Sequence, residues 1–411
     1  MPNDLRAPAK RARPNEALLT TRLSAESELE PHREAWCKLA CGVPTRSPHW
    51  LLVWWHFYRR EGDTLCVLLF HDEGGELVGL APLYLGKGKT VRLLGSGAAS
   101  TNHTTWLSAG GEEHTIGVAV SEFLLAARQE WNRIKFDSAD ADDPALNATV
   151  THLAQHGCLV CSTPQHSCWR ILLPPSWEEY LMTLSRIHRK RCRKLQQLLD
   201  TGRVQVHKVM GAADFSRGFD ILLLLHGARW GAADQPLGCF SDTTFREFHR
   251  AAAQELLAHD QLLLVWLELD GKPIAVEYQF AGGGTIYSYQ AGMDPSIVEF
   301  SPGSLSILAS IRDSIAQGFV SFDLSRGDQP YKANWRATPA ASYDLRIWPD
   351  RIGGRLEHGV WELRNQAEQE RMRWVRRIKA RVPKRFIERW RELVQALGGK
   401  RRSPRKVAPP R

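Results

Sequence analysis

The sequence predicts an α/β fold with mixed α+β sheets, built as two similar halves, each a largely antiparallel sheet flanked by helices. Three observations carry this prediction. The chain has 411 residues, too many for one small core, with a globular balance of 43% hydrophobic and 24% charged residues. A three-strand meander occurs twice. A capped helix and a further strand follow the second copy.

In the first copy, strand-like runs at 65–70, 77–84 and 90–94 are separated by the turn signals DEGG and GKGK. The second copy has runs at 262–269, 273–281 and 285–290, turned by Asp270-Gly271-Lys272 and Gly282-Gly283-Gly284. Setting Val78 over Ile274 aligns GELVGLAPLYLGKGKTVRLLGSG with GKPIAVEYQFAGGGTIYSYQAG. Internal duplication explains this economically, and the commonness of period-two patterns is the competing account. The expected organisation is a loose arm at 1–25, a non-catalytic first half at 26–165, a second half at 166–350 carrying the site, and a basic amphipathic tail at 351–411.

Charge is unevenly distributed. From Arg371 to Arg411, 16 Lys/Arg face only Glu388 and Glu392, while the remaining 38 basic and 43 acidic residues leave the body at −5. A nucleic-acid-binding domain would carry its positive footprint across the fold itself, so nucleic acid is not an expected partner outside the tRNA alternative below. No apolar run exceeds that of 262–267, six residues and too short to cross a bilayer, and no apolar signal core opens the chain; a cytoplasmic protein is expected. The eight cysteines form no framework. Cys158 and Cys161 lack a second pair at zinc-finger spacing, so buried thiols in a reducing compartment, and no metal, are expected.

Between the halves, Ser176 and Glu179 have capping-box spacing and open a predicted helix to about Leu199, closed by Gly202. Its SRIHRKRCRK segment carries six cations and His188, which could hold a phosphate or a charged acceptor, or form a solvated face. In the second half, Ser301 is placed as N-cap and Pro302 at the first helical position. Ser304, Leu308, Ile311 and Ile315 share one face, Gly318 stops the helix, and a strand at 319–324 follows.

A helix start presents backbone N–H groups and a positive dipole end, which suits a pyrophosphate, and Gly303 would allow close approach; a capped helix without a ligand is the plainer reading. On the strand 273–281, alternation puts Ala275, Glu277 and Gln279 opposite Ile274, Val276, Tyr278 and Phe280. A carboxylate there is costly unless the face borders a cavity, a cation or water. Glu277 is therefore either a base or a solvated residue, and the first copy has Ala81 at the matching position. The segment FDLSRGDQPYK, from Phe322 to Lys332, packs acids, bases and a phenol around a Gly turn, as a functional cluster or as an ion-pair network bracing the loop.

FDLSRGDQPYKANW, YSYQAGMDPSIVEFSPGSL and LHGARWGAADQPLGCFSDTTFREFHRAAAQELL resemble the CelD/BcsL-type branch of the GNAT superfamily, related to the Fem-type aminoacyl transferases. The resemblance covers roughly residues 30–350 and is most specific in the second half. It implies tandem GNAT-like domains that transfer an acyl group, usually acetyl from acetyl-CoA, often in bacterial envelope or polysaccharide contexts. The motif positions carried over are Arg229, Trp230, Phe240, Phe248, His249, Gly292, Pro302, Gly303, Asp323, Gly327, Tyr331 and Lys332. The loop after Asn102, often acidic in relatives, reads STNHTTWL here, which puts an acceptor contact from the first half in doubt.

Assigned by chemistry, Glu277 would act as base and Tyr331 or Tyr289 as acid toward the leaving thiolate. Ser301, Pro302, Gly303 and Ser304, with the strand at Val276 and Tyr278, would bind acyl-CoA. Arg229, Trp230, His249, Asp323, Arg326, Lys332, Arg189 and Arg193 would meet the acceptor. A Fem-type transferase using aminoacyl-tRNA and a non-catalytic acyl-CoA-binding scaffold of a polysaccharide-synthesis complex are the alternatives. In the tail, Trp374, Val375, Ile378, Val382, Phe386, Trp390, Leu393, Val394 and Leu397 recur at helical spacing among Lys/Arg. That pattern suits an anionic membrane surface, an envelope-synthesis partner or the enzyme's own body.

Overall fold

The structure, a computed structural model, describes residues 18–381 apart from 98, 100 and 233. The N-terminal part of the expected arm and the tail pattern from Val382 to Leu397 lie outside the described residues.

Alternating β-branched and aromatic segments form thirteen strands: β1 Leu19–Leu23, β2 Thr64–His71, β3 Leu77–Gly86, β4 Thr90–Leu93, β5 Leu107–Ser108, β6 Arg133–Asp140, β7 Leu159–Leu172, β8 Val204–Lys208, β9 Leu262–Leu269, β10 Lys272–Gly282, β11 Thr285–Met293, β12 Ser321–Arg326 and β13 Thr338–Trp348. They make one sheet in the order β1-β2-β3-β4-β6-β13-β7-β12-β11-β10-β9-β8, with β5 on β3. The expected arm therefore ends in an edge strand, because Leu19–Leu23 pairs antiparallel with β2.

The repeated pattern is a repeated topology. β2, β3 and β4 form an antiparallel meander, the helix Glu113–Ala126 crosses over, and β6 lies parallel to β4. β9, β10 and β11 do the same, with helix Pro302–Ala316 crossing to β12, parallel to β11. At the centre the order is exchanged: β7 pairs with β12 and β13, and β13 with β6 and β7. β7 runs through position 165/166 without interruption.

Residues up to Asp350 form one compact unit and those from Arg351 a second. In the first unit one sheet face is covered by an aromatic-rich layer including Trp50, Phe219, Phe240, Phe248, Tyr278 and Phe280. The opposite face of the second half packs Leu305, Leu308 and Ile311 against Ala275, Ile286 and Phe322. A register shift between Pro273 and Ala275 puts Ile274 in this second layer, not with Val276 as strict alternation predicts. Close approach explains two glycines. A Cβ on Gly292 would lie 2.4 Å from the His226 nitrogen of helix Ala212–Trp230, and one on Gly282 would lie 1.8 Å from the Gly42 carbonyl oxygen.

Two helix expectations are corrected. The stretch 177–199 is two helices, Trp177–Thr183 and Arg186–Asp200, because Leu184 and Ser185 are extended, Leu184 is buried, and the Ser185 hydroxyl caps the second helix at His188 N–H. Ser301 is left-handed at φ 46°, and its side chain caps nothing. Its carbonyl instead accepts from the N–H groups of Ser304 and Leu305.

The second unit is described by the helix Ile352–Arg381, along which Ile352, Leu356, Val360 and Leu363 are exposed at one-face spacing. Among the described residues, no helix is long and apolar enough to cross a membrane.

Candidate active site

Glu277 sits mid-strand in β10, only 2% exposed, with apolar residues before and after it. The solvated reading is thereby excluded. The Ser306 hydroxyl, one turn into helix Pro302–Ala316, donates to its Oε1 at 2.6 Å, and the Ser288 hydroxyl of β11 donates to Oε2 at 3.4 Å. Burial raises its pKa to about 7, with Ser306, Arg229 and Ser288 pulling part of the way back. A carboxyl group poised there exchanges protons readily near neutrality.

Glu277 opens onto a cavity of about 410 Å³ that is also lined by Ser288, Arg229, Tyr331, Trp335 and the segment Ser301, Pro302, Gly303 and Ser304. The expected cofactor-binding helix start and the expected base therefore share one space. The first turn, with no side-chain cap, supplies the Gly303 N–H and the positive end of the helix dipole to one wall, the N–H groups of Ser301 and Ser304 being bonded to backbone carbonyls. His188 and Arg191 line the same cavity, and Arg191 Nη2 donates to Ser304 Oγ at 3.2 Å. Arg189 is placed elsewhere, with Nη1 3.0 Å from Met182 Sδ, and Arg193 is exposed. Within the basic run it is His188 and Arg191 that line the cavity, because with Cys192 and Leu195 buried the three-residue spacing from 188 to 191 marks the inner side of the helix.

Other expected residues are placed differently. Val276 and Tyr278 point into the aromatic layer, and the strand's backbone is paired on both sides by β9 and β11. Tyr289 is the extra residue at a bulge opposite Tyr278/Gln279. Its hydroxyl donates to the Ala99 carbonyl and lies 3.2 Å from His249 Nε2, so it is not the acid of this cavity. His249 is fully buried, and burial lowers its pKa to about 3, which makes it a neutral core residue. Trp230 stacks under the Arg229 guanidinium at 4.5 Å and outside the cavity wall.

The FDLSRGDQPYK loop divides. Tyr331 lines the cavity, and partial burial together with the Glu277 carboxylate raises its pKa. Lys332 is buried with Nζ donating to the carbonyls of Ser325 (2.9 Å) and Arg326 (3.1 Å), and burial lowers its pKa to about 8. Arg326 donates to Asn102 Oδ1 at 2.7 Å. Asp328 accepts from Trp169 Nε1 and Ser167 N–H and sits 2.9 Å from His166 Nδ1. These contacts brace the loop.

Asp323 faces a second cavity of about 560 Å³, together with Arg46, Asp140, Cys168 and Arg170. There His103 is wedged between Asp140 Oδ2 (Nδ1, 2.8 Å) and Asp323 Oδ2 (Nε2, 3.1 Å). Burial alone would lower the His103 pKa, but the two carboxylates outweigh it and raise it to about 9, and they are themselves held low by the imidazolium. The TNHTT loop thus reaches from the first half to Asp323 through a histidine and to Arg326 through Asn102. Sequence reading missed both because it looked for an acid there.

A model of the GNAT acetyltransferase domain matches residues 186–333, the stretch containing the basic helix, Glu277, the helix start and Tyr331. The chain carries a GNAT-family acyltransferase domain. In fold the chain is similar to FemX, which superposes with a TM-score of 0.54 at 11% identity, over 79% of this chain and 96% of FemX. L-PGS from Bacillus licheniformis gives 0.48 at 12% identity, over 78% and 91%. A tandem GNAT protein from the clavulanic acid biosynthesis pathway gives 0.41 at 11%, over 80% and 98%. No curated protein sequence matches the chain.

Proposed function

We propose that the Glu277 cavity transfers an acyl group, foremost acetyl, from acyl-CoA to an amine or hydroxyl of a cell-envelope or polysaccharide-related acceptor, at or near the inner face of the membrane. The reading is carried by one observation: a buried carboxyl group with a pKa near 7 shares a cavity with the uncapped N-terminus of a helix. The Gly303 N–H and the positive end of the helix dipole, with Arg191 beside them, suit a phosphate group of the donor. Glu277, directly or through a water, takes the acceptor proton as the acceptor attacks the thioester carbon. Tyr331 gives its proton to the departing thiolate. No enzyme-bound acyl intermediate is needed.

The test is calorimetry with acetyl-CoA combined with single-turnover kinetics of Glu277→Gln. Binding retained and turnover lost supports the reading; absence of acetyl-CoA binding, or unchanged turnover in the variant, sinks it. A second reading rests on the FemX-like fold and the six-cation helix: an aminoacyl transferase that takes its acyl group from charged tRNA. Charged tRNA displacing acetyl-CoA would favour it.

A further inference from the structure

Outside the lining of the Glu277 cavity, where the two halves meet, two histidines and a carboxylate converge. His49 lies on the helix Pro48–Tyr58 of the first half, and Glu255 on the helix Thr243–Ala258 of the second, with His259 four residues beyond it. One ligand atom from each lies within 4.8 Å of the other two.

The outer hydrogen bonds identify the free nitrogens. His259 Nδ1 is 2.8 Å from the Glu255 carbonyl oxygen. A carbonyl can only accept, so Nδ1 carries the proton and the neutral ring leaves Nε2 bare. His49 Nε2 is 3.3 Å from Cys37 Sγ. In the tautomer whose Nε2–H donates to sulfur, His49 Nδ1 is a bare lone pair as well. That Nδ1 is buried with no hydrogen-bond partner, 3.9 Å from Glu255 Oε2. An orphaned buried acceptor is uncommon in a folded protein. Each imidazole therefore has one nitrogen oriented by an outer partner and the other unused, the arrangement that metal-bound histidines adopt.

We propose that His49 Nδ1, His259 Nε2 and the Glu255 carboxylate bind one borderline divalent cation, foremost Zn²⁺, clipping the two halves together. Two imidazoles and a carboxylate suit that class, and the solvent-facing fourth position is filled by water. The two rings are stacked, with centroids 3.5 Å apart. Closure on an ion requires His259, the exposed member, to turn out of the stack, which breaks no core contact. The trio His103, Asp140 and Cys168 is equally compact, but both nitrogens of His103 are already occupied, so it is not the choice.

The test is titration of the full chain with ZnCl₂ under reducing conditions, read by calorimetry and by thermal unfolding. The expected result is one site of micromolar or tighter affinity, with a rise in Tm on saturation. His259→Gln, at an exposed position, and Glu255→Gln, at a half-buried one, should each weaken that site by more than the roughly 10–100-fold typical of losing an outer hydrogen-bond partner. They should also remove the rise in Tm. Absence of a micromolar site, or a site unchanged in both variants, overturns the proposal.

Discussion

The two meander units share a topology and differ where chemistry would sit. At matching strand positions, Ala81 is fully buried in an apolar layer, whereas Glu277 meets two hydroxyls and a cavity. The helix that follows begins at Glu112 and Glu113 in the first unit and at Ser301-Pro302-Gly303 in the second. Acids at a helix N-terminus satisfy the dipole internally and repel a phosphate, while an uncapped start leaves both for a ligand. The same scaffold thus presents an apolar core position in one copy and a buried carboxyl beside a cavity in the other, by a few side chains. The first unit contributes differently, by delivering His103 to Asp323.

The largest expected effect breaks the asymmetry at its chemical end. Glu277→Gln should lower kcat by about 10²–10⁴, the range for loss of a general base, with acetyl-CoA affinity retained. The reciprocal change, Ala81→Glu, places an unpartnered carboxylate in a dry core and should cost about 3–5 kcal/mol in urea unfolding.

At the bridge between the two halves of the sheet, His103→Gln leaves Asp140 and Asp323 facing each other without the imidazolium and should cost about 3–5 kcal/mol at pH 7. The His103 pKa is raised in the fold, to about 9, so its contribution is fully present below the ordinary histidine range and disappears as pH rises through about 9. The gap between wild type and variant should therefore narrow between pH 7 and pH 10.

Glu277 also has a raised folded pKa, so the stability of its neutral form is present below the ordinary carboxylate range and lost as pH rises through about 7. Glu277→Gln should gain about 1–3 kcal/mol relative to wild type between pH 5 and pH 8, read by the same unfolding assay. The smallest effect separates two neighbours on one helix. Arg191→Gln should weaken acetyl-CoA binding about tenfold by calorimetry, and Arg189→Gln should leave it within about twofold.

Much of the fold was legible because it depends on short-range pattern. The two meanders, the Pro302 helix start and the Gly318 stop, at φ 81°, follow from period-two runs and turn residues. The break at Leu184-Ser185 was not legible, since Leu and Ser continue a helical pattern acceptably until tertiary packing claims Leu184. Glu277, Tyr331 and the helix start, all named from sequence, line one cavity. Tyr289, His249 and Lys332 look much the same in one dimension, and only the tertiary structure places them away from that cavity, against backbone or core partners.

By itself the sequence determined the duplicated pattern, the placement of an acid in one copy and an alanine in the other, and the family likeness of the second half, because these are properties of residue type and spacing. Only the tertiary structure decided the exchange of β7 and β13 across the sheet centre, the choice of Arg191 over Arg189, and the pairing of His103 with Asp323, 220 positions away. Those depend on which faces close over one another: burial raises both carboxyls, and the partner brought against each sets whether it is held at about 7, as Glu277 is, or kept an anion by an imidazolium, as Asp323 is.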